Sequence, residues 1–333
     1  MRTWMSERFG LDVPVVCAPM AGAAAGELAA AVCRGGGLGM IGVGAVTPEW
    51  ISEQCRIAGS AGRPFGVGLL AWLLADNPGQ LDAVLAARPA LVSVSYGPYQ
   101  RYLPALREAG VTVATQAGTL AEAQAAERAG VDVIVARGGE GGGHGRNDVA
   151  TLPLLQMVLD TVTVPVLAAG GITGPRGLAA VLAAGAAGAW VGTAFLACTE
   201  ATTPAGARER LFAATDTSTD YGRVFDIAQR QPWPPEYGGR ALRNRFFDHW
   251  AGHEHDLETD AAAQAEIASA RDRGDYDTAC VYAGQGAAML TRQRPAADVL
   301  TDLATAHSLL QQAAQQARPP DQADGPGPDT GPR

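Results

Sequence analysis

Apolar residues in the first two-thirds of the chain fall into short runs bounded by glycine or proline, and the runs recur at regular intervals. They predict strands at 13–19, 38–43, 65–70, 91–95, 111–115, 131–136, 164–169 and 189–195. Each gap holds an alanine-rich helical stretch, as at 26–34, 81–87, 120–129 and 177–184. Several of these stretches end just before the next strand in Ala-Gly: Ala109-Gly110, Ala129-Gly130 and Ala184-Gly185. Glycine there ends a helix in the left-handed conformation. Eight such units predict an α/β fold closed as a (β/α)8 TIM barrel. An open doubly wound sheet is the alternative, and uninterrupted repetition favours closure.

After Glu200 the pattern changes. Residues 215–289 carry three of the five histidines, nine of the twenty aromatics and a turn at Pro232-Trp233-Pro234-Pro235, while 295–317 returns to helical spacing. The expected organisation is a barrel from 1–214 and 290–317, a smaller mainly helical second domain or lid over 215–289, and a Pro/Gly/Asp-rich disordered tail at 318–333.

Composition narrows the function. The net charge of −9 disfavours nucleic acid or an anionic membrane as partner. The chain has no lysine, which excludes lysine Schiff-base chemistry and a P-loop lysine. Cys17, Cys33, Cys55, Cys198 and Cys280 lack CxxC spacing and sit mostly in apolar runs, so they read as buried thiols rather than disulfides or zinc ligands. With no signal-like start and no apolar run of roughly 20 residues, the expectation is a cytoplasmic protein.

The most unusual stretch is Gly138-Gly139-Glu140-Gly141-Gly142-Gly143-His144-Gly145, directly after the sixth strand. Six glycines in eight residues build no core; they let bare backbone approach a ligand, and they present one imidazole to it. Barrel ligands bind at the C-terminal ends of the strands. Ala18-Pro19-Met20-Ala21-Gly22, Ala169-Gly170-Gly171-Ile172 and Gly192-Thr193-Ala194 stand at three further such ends. Glycines that lead into helices after strands seven and eight suit a phosphate, held by backbone N–H groups and a threonine hydroxyl.

These segments, together with Gly36-Gly37-Leu38-Gly39, Gly239 to Asn244 and Tyr282 to Gly286, resemble the nitronate monooxygenase family over most of the chain to about residue 317. The resemblance implies an FMN-binding barrel that oxidises alkyl nitronates with O2 to carbonyl compounds and nitrite. By position, Pro19, Met20 and Ala21 would line the flavin ring, and Gly170, Gly171, Gly192 and Thr193 would hold its phosphate. Ala18, Gly142, Gly143 and Ala169 would also bind the cofactor, and Gln116, on the loop after strand five, would make a polar contact. His144 matches the active-site histidine, a base or hydrogen-bond donor of the kind that exchanges protons near neutral pH. Flavin enoyl-acyl-carrier-protein reductases and quinone reductases, which use NAD(P)H, share these motifs and give a second reading. A non-catalytic flavin-binding module is a third. Two departures stand out: Ser95-Tyr96-Gly97 replaces a common His-Phe-Gly, and Gly68 replaces a common asparagine.

Other residues carry competing readings. Glu140 orients His144 or caps the next helix, Arg137 meets an anion or is a solvated strand end, and Tyr96, Tyr99, Glu140 and Gln285 are candidate substrate contacts. His249, His253 and His255 with Asp248 and Asp256 read as a solvated segment, so no metal is expected. Trp233 and Trp250 read as lid core. A small-molecule substrate follows, with O2 or NAD(P)H as co-substrate.

Overall fold

The computed structural model describes residues 1–317, so the expected tail at 318–333 lies outside the described residues. Its strands are β1 (Val15–Cys17), β2 (Met40–Gly42), β3 (Gly66–Leu70), β4 (Leu91–Ser95), β5 (Thr112–Ala117), β6 (Val133–Arg137), β7 (Gly143–His144), β8 (Val166–Ala169), β9 (Gly188–Val191), β10 (Thr219–Gly222) and β11 (Gly239–Leu242). All but β7, β10 and β11 form one parallel sheet in the order β1-β9-β8-β6-β5-β4-β3-β2. The sheet closes where Leu38 bridges Val16: Cys17 N–H donates to Leu38 O at 2.9 Å and Leu38 N–H to Val15 O at 2.9 Å. The predicted barrel is therefore present, with helices between its strands.

The strand bodies are buried on both faces, which is why they read as continuous apolar runs. Val16, Met40, Val133, Val135, Leu167 and Trp190 fill the interior. The helix Trp4–Phe9 adds Met5 and Phe9 to that cluster. Burying each of these two side chains is worth roughly 2 kcal/mol. Thr3 and Ser6 form a reciprocal capping box that starts this helix. The eighth predicted strand is too long: Gly192 stops β9, and Thr193–Leu196 is a helical turn.

The segment 215–289 holds the helices Val224–Ala228, Arg245–Trp250, Glu254–Leu257 and Ala261–Arg273. It also holds two strands that its sequence did not predict, β10 and β11. They pair antiparallel, and β11 pairs in turn with β7, placing Gly239 opposite His144 and Arg240 opposite Gly143. A side chain at 239 would strike the Tyr282 ring, so glycine is required where the His144 and Tyr282 rings lie against this strand. Later, Ala296–Ala304 and Ala306–Gln316 are helical, and Val299, Leu300 and Leu303 join the main apolar cluster.

Among the described residues no helix is long and apolar enough to cross a membrane, and no group of three or more His, Cys, Asp or Glu is placed to hold a metal.

Candidate active site

At the C-terminal end of the barrel the buried sheet gives way to partly exposed backbone. Ala18, Pro19 and Met20 follow β1, Gly170 and Gly171 follow β8, Gly192 and Thr193 follow β9, and each is at least partly accessible. The turn after β1 lies tightly over its neighbours. A Cβ at Gly68 would fall on the Pro19 ring, and one at Gly42 on the backbone of Met20 and Ala21. Glycine at 68 is thus required by Pro19, which takes the space an asparagine would use. Gln116 lies inside β5, paired with Val135, and not on the following loop. Ladder geometry extends that strand past the last apolar residue.

The glycine loop is held from below by Arg137, which is 4% exposed and far from being solvated. Its guanidinium donates to the carbonyls of Arg146 at 2.9 Å, Gly141 at 2.6 Å and Gly143 at 2.9 Å. Burial pulls its pKa below the usual arginine range. Arg240 adds a second clamp, donating to Gly139 O at 2.7 Å and Asn147 Oδ1 at 2.9 Å. A side chain at Gly145 would run into the Arg137 guanidinium. Glu140 caps the next helix: its Oε2 accepts from Thr151 N–H and Oγ–H, both at 2.8 Å. It does not orient His144.

Asp226 does. His144 Nε2 lies 2.7 Å from Asp226 Oδ1, which also accepts the Tyr282 hydroxyl at 2.8 Å. Asp226 is 1% exposed and its Oδ2 has no partner. Burial, reinforced by Cys280 and Asp226, pushes the Tyr282 phenol well above its ordinary range, which keeps it a donor. A carboxylate bound to Nε2–H leaves the neutral imidazole with its lone pair on Nδ1. Nδ1 has no hydrogen-bond partner among the described residues. The sequence carried one signal for Asp226, a single acid inside the apolar helix Val-Phe-Asp-Ile-Ala.

Aromatic rings surround the imidazole. Trp233 stacks on it with centroids 3.5 Å apart and planes 5° from parallel, and Tyr282 tilts against it at 5.0 Å. Trp233 therefore stands at the site and is not simply lid core; Trp250 does pack with the apolar cluster around Phe246. Tyr96 donates its hydroxyl to His144 O at 2.9 Å and sets its ring edge-on to Trp233. Burial pushes the Tyr96 phenol up to about 12. Tyr99 packs instead on the outer apolar cluster. Gln285 is exposed and meets the loop through its N–H, which donates to Glu140 O at 3.0 Å. His253 and His255 are exposed and lie near Asp256 and Glu258.

A cradle remains at the ends of β8 and β9. Gly170 and Gly171 adopt φ of 114° and 68°, and a Cβ at Gly171 would meet nothing nearer than 3.7 Å. The N–H groups of Gly171 and Gly192 have no acceptor among the described residues. The nearby helix Pro175–Ala183 starts without a side-chain cap. Free amides, open space and a helix start fit a phosphate.

The nitronate monooxygenase family profile matches residues 2–79 and 71–306. The chain belongs to this family. A nitronate monooxygenase from Paraburkholderia phytofirmans is 32% identical over 368 residues, covering 93% of this chain and 95% of its own. Among solved structures, FabK from Thermotoga maritima superimposes with a TM-score of 0.81 at 28% identity, covering 95% of this chain and 98% of its own. A nitroalkane oxidase from Streptomyces ansochromogenes gives 0.79 at 30% identity, covering 93% and 99%. Family membership makes the protein an oxidoreductase rather than a binding module.

Proposed function

We propose that this member of the nitronate monooxygenase family binds FMN and oxidises alkyl nitronates with O2 to carbonyl compounds and nitrite. The observations that carry the reading are His144, anchored at Nε2 by buried Asp226 and unengaged at Nδ1, and the glycine cradle at the ends of β8 and β9 that fits a phosphate. The phosphate would rest on Gly170, Gly171, Gly192 and Thr193, and the ring along Pro19, Met20 and Ala21. FMN supplies the electron acceptor and the site of reaction with O2. His144 Nδ1 takes the α-proton of a neutral nitroalkane, and Asp226 stabilises the imidazolium that results. Towards a nitronate, the protonated ring donates a hydrogen bond to the anionic nitro group. The aromatic rings exclude water from that contact, which strengthens it.

A second reading, an FMN-dependent reductase using NAD(P)H on an enoyl thioester or quinone, is favoured by the likeness to FabK. Anaerobic mixing of the FMN-loaded protein with ethylnitronate, NADH and NADPH separates the two. Flavin bleaching by the nitronate alone supports the first reading. Bleaching by a pyridine nucleotide with indifference to nitronate replaces it with the second. Protein that cannot be loaded with FMN removes both.

A further inference from the structure

The imidazole of His144 can be approached along little of its perimeter. Its side chain is 10% exposed. Asp226 occupies the Nε2 edge, Tyr282 leans on the ring at 5.0 Å, and Trp233 covers a whole face at 3.5 Å. That spacing is van der Waals contact, so no substrate atom fits between the two rings.

The indole is itself braced. Trp72 meets it edge-on at 5.3 Å and Tyr96 at 5.3 Å. Tyr96 is held by its bond to His144 O and by an unusual backbone, with φ of 65°, followed by Gly97 at 115°. A non-glycine residue is rarely left in that region unless the surroundings demand it. The segment bearing Trp233 is stiff as well. Prolines 232, 234 and 235 fix their own φ, and the proline after Trp233 confines it to extended backbone. Trp233 N–H donates to Gln231 O at 2.9 Å, and Tyr237 N–H to Pro234 O at 3.0 Å. The indole is a fixed wall, and the Ser95-Tyr96-Gly97 departure supplies one of its supports.

We infer that Trp233 is the specificity-determining residue of the site, admitting slender primary alkyl nitronates and turning away secondary and aryl-substituted ones. The inference rests on the nitronate reading above. A nitronate is planar at its α-carbon, so a second alkyl group or an aryl ring widens it within that plane. With one face of His144 closed, the wider plane meets the indole before its nitro group reaches Nδ1. Charge plays no part in the selection, because all these substrates carry the same anionic group.

The test compares kcat/KM for ethylnitronate, propyl-2-nitronate and the anion of phenylnitromethane in FMN-loaded wild type, Trp233→Ala and Trp233→Phe. The ratio of either bulky substrate to ethylnitronate should rise about ten-fold or more in Trp233→Ala, the scale on which pocket volume discriminates, and little in Trp233→Phe. A ratio unchanged within about two-fold in folded Trp233→Ala overturns the inference. Should circular dichroism show that variant unfolded, Trp233→Leu carries the same comparison. Should wild type oxidise no nitronate, the proposed reaction fails separately, and calorimetric binding of benzoate decides the wall. Tighter binding to Trp233→Ala than to wild type supports it, and equal affinity overturns it.

Discussion

Replacing Asp226 by asparagine isolates what its charge contributes. Oδ1 accepts from both His144 Nε2 and the Tyr282 hydroxyl, while Oδ2 has no partner. An asparagine carbonyl can keep both bonds, with its NH2 placed where the unpaired oxygen now lies. The tautomer of His144 is then unchanged, and only the negative charge at the Nε2 edge of the ring is lost. Hydrogen bonds to a charged group contribute about 1.5–3 kcal/mol and neutral ones about 0.5–1.5. The difference, roughly 1–1.5 kcal/mol, is felt as the imidazolium forms and corresponds to a fall in kcat of about ten-fold. Stability should move the other way or not at all, since a buried carboxylate with an unpaired oxygen is costly to desolvate. Asp226→Ala differs: it strands two buried donors at about 1–3 kcal/mol each, so both Tm and kcat fall. Oxygen uptake with saturating neutral nitroethane, the substrate whose α-proton His144 takes, gives kcat, and thermal circular dichroism gives Tm. An Asp226→Asn protein that keeps FMN and turns over within about two-fold of wild type would refute the charge argument.

Tyr96→Phe keeps the ring against Trp233 and removes the bond to His144 O, so stability should fall by about 1 kcal/mol and kcat by a few-fold; an unchanged denaturation midpoint would count against that bond. Glu140→Ala removes the cap on the helix Thr151–Leu159 and should cost about 1 kcal/mol while leaving the pH profile of kcat intact, as urea unfolding and steady-state rates will show. Alkaline pH should destabilise the fold through its buried thiols. Burial raises the Cys55 and Cys198 thiols to about 12, so each contributes stability that is whole below the unfolded thiol pKa of about 8.5 and declines above it. At pH 10 each should have lost about 2 kcal/mol. Cys55→Ala should flatten the fall in urea midpoint between neutral and alkaline pH, and an equally steep fall would disprove the assignment.

The barrel was legible because each of its strands is buried on both sides and each gap is a full helix, so apolar runs and glycine stops mark every strand, most to within two residues at each end. The error at 192–195 has a local cause: Thr193, Ala194 and Phe195 are as apolar on average as a strand, and only Gly192 signals the turn. The His144 loop was legible from glycine density. Its partners were not, since Asp226 is 82 positions away in sequence and comes to His144 through a sheet whose middle strand reads Gly-Arg-Ala-Leu. A strand that short, with a glycine and a buried arginine in it, has no alternation to detect. The same long-range pairing turned Trp233 from apparent lid core into a wall of the site.

Arg137 shows why a loop built almost wholly from glycine can hold His144 still. Glycine gives the backbone close approach and left-handed turns, but it supplies no side chain to pack and loses the most entropy on being fixed. The compensation comes from outside the loop. Arg137 at the end of β6 ties three of its carbonyls and Arg146 O, Arg240 on β11 ties Gly139, and the Glu140 carboxylate ties the loop to the next helix. A cation taken out of water needs its donors satisfied, and the glycine carbonyls are free to turn toward it because no side chain stands in the way. The loop and the arginine therefore require each other. Arg137→Lys, which keeps the charge but offers fewer, differently arranged donors, should unsettle His144 even though the two side chains do not meet.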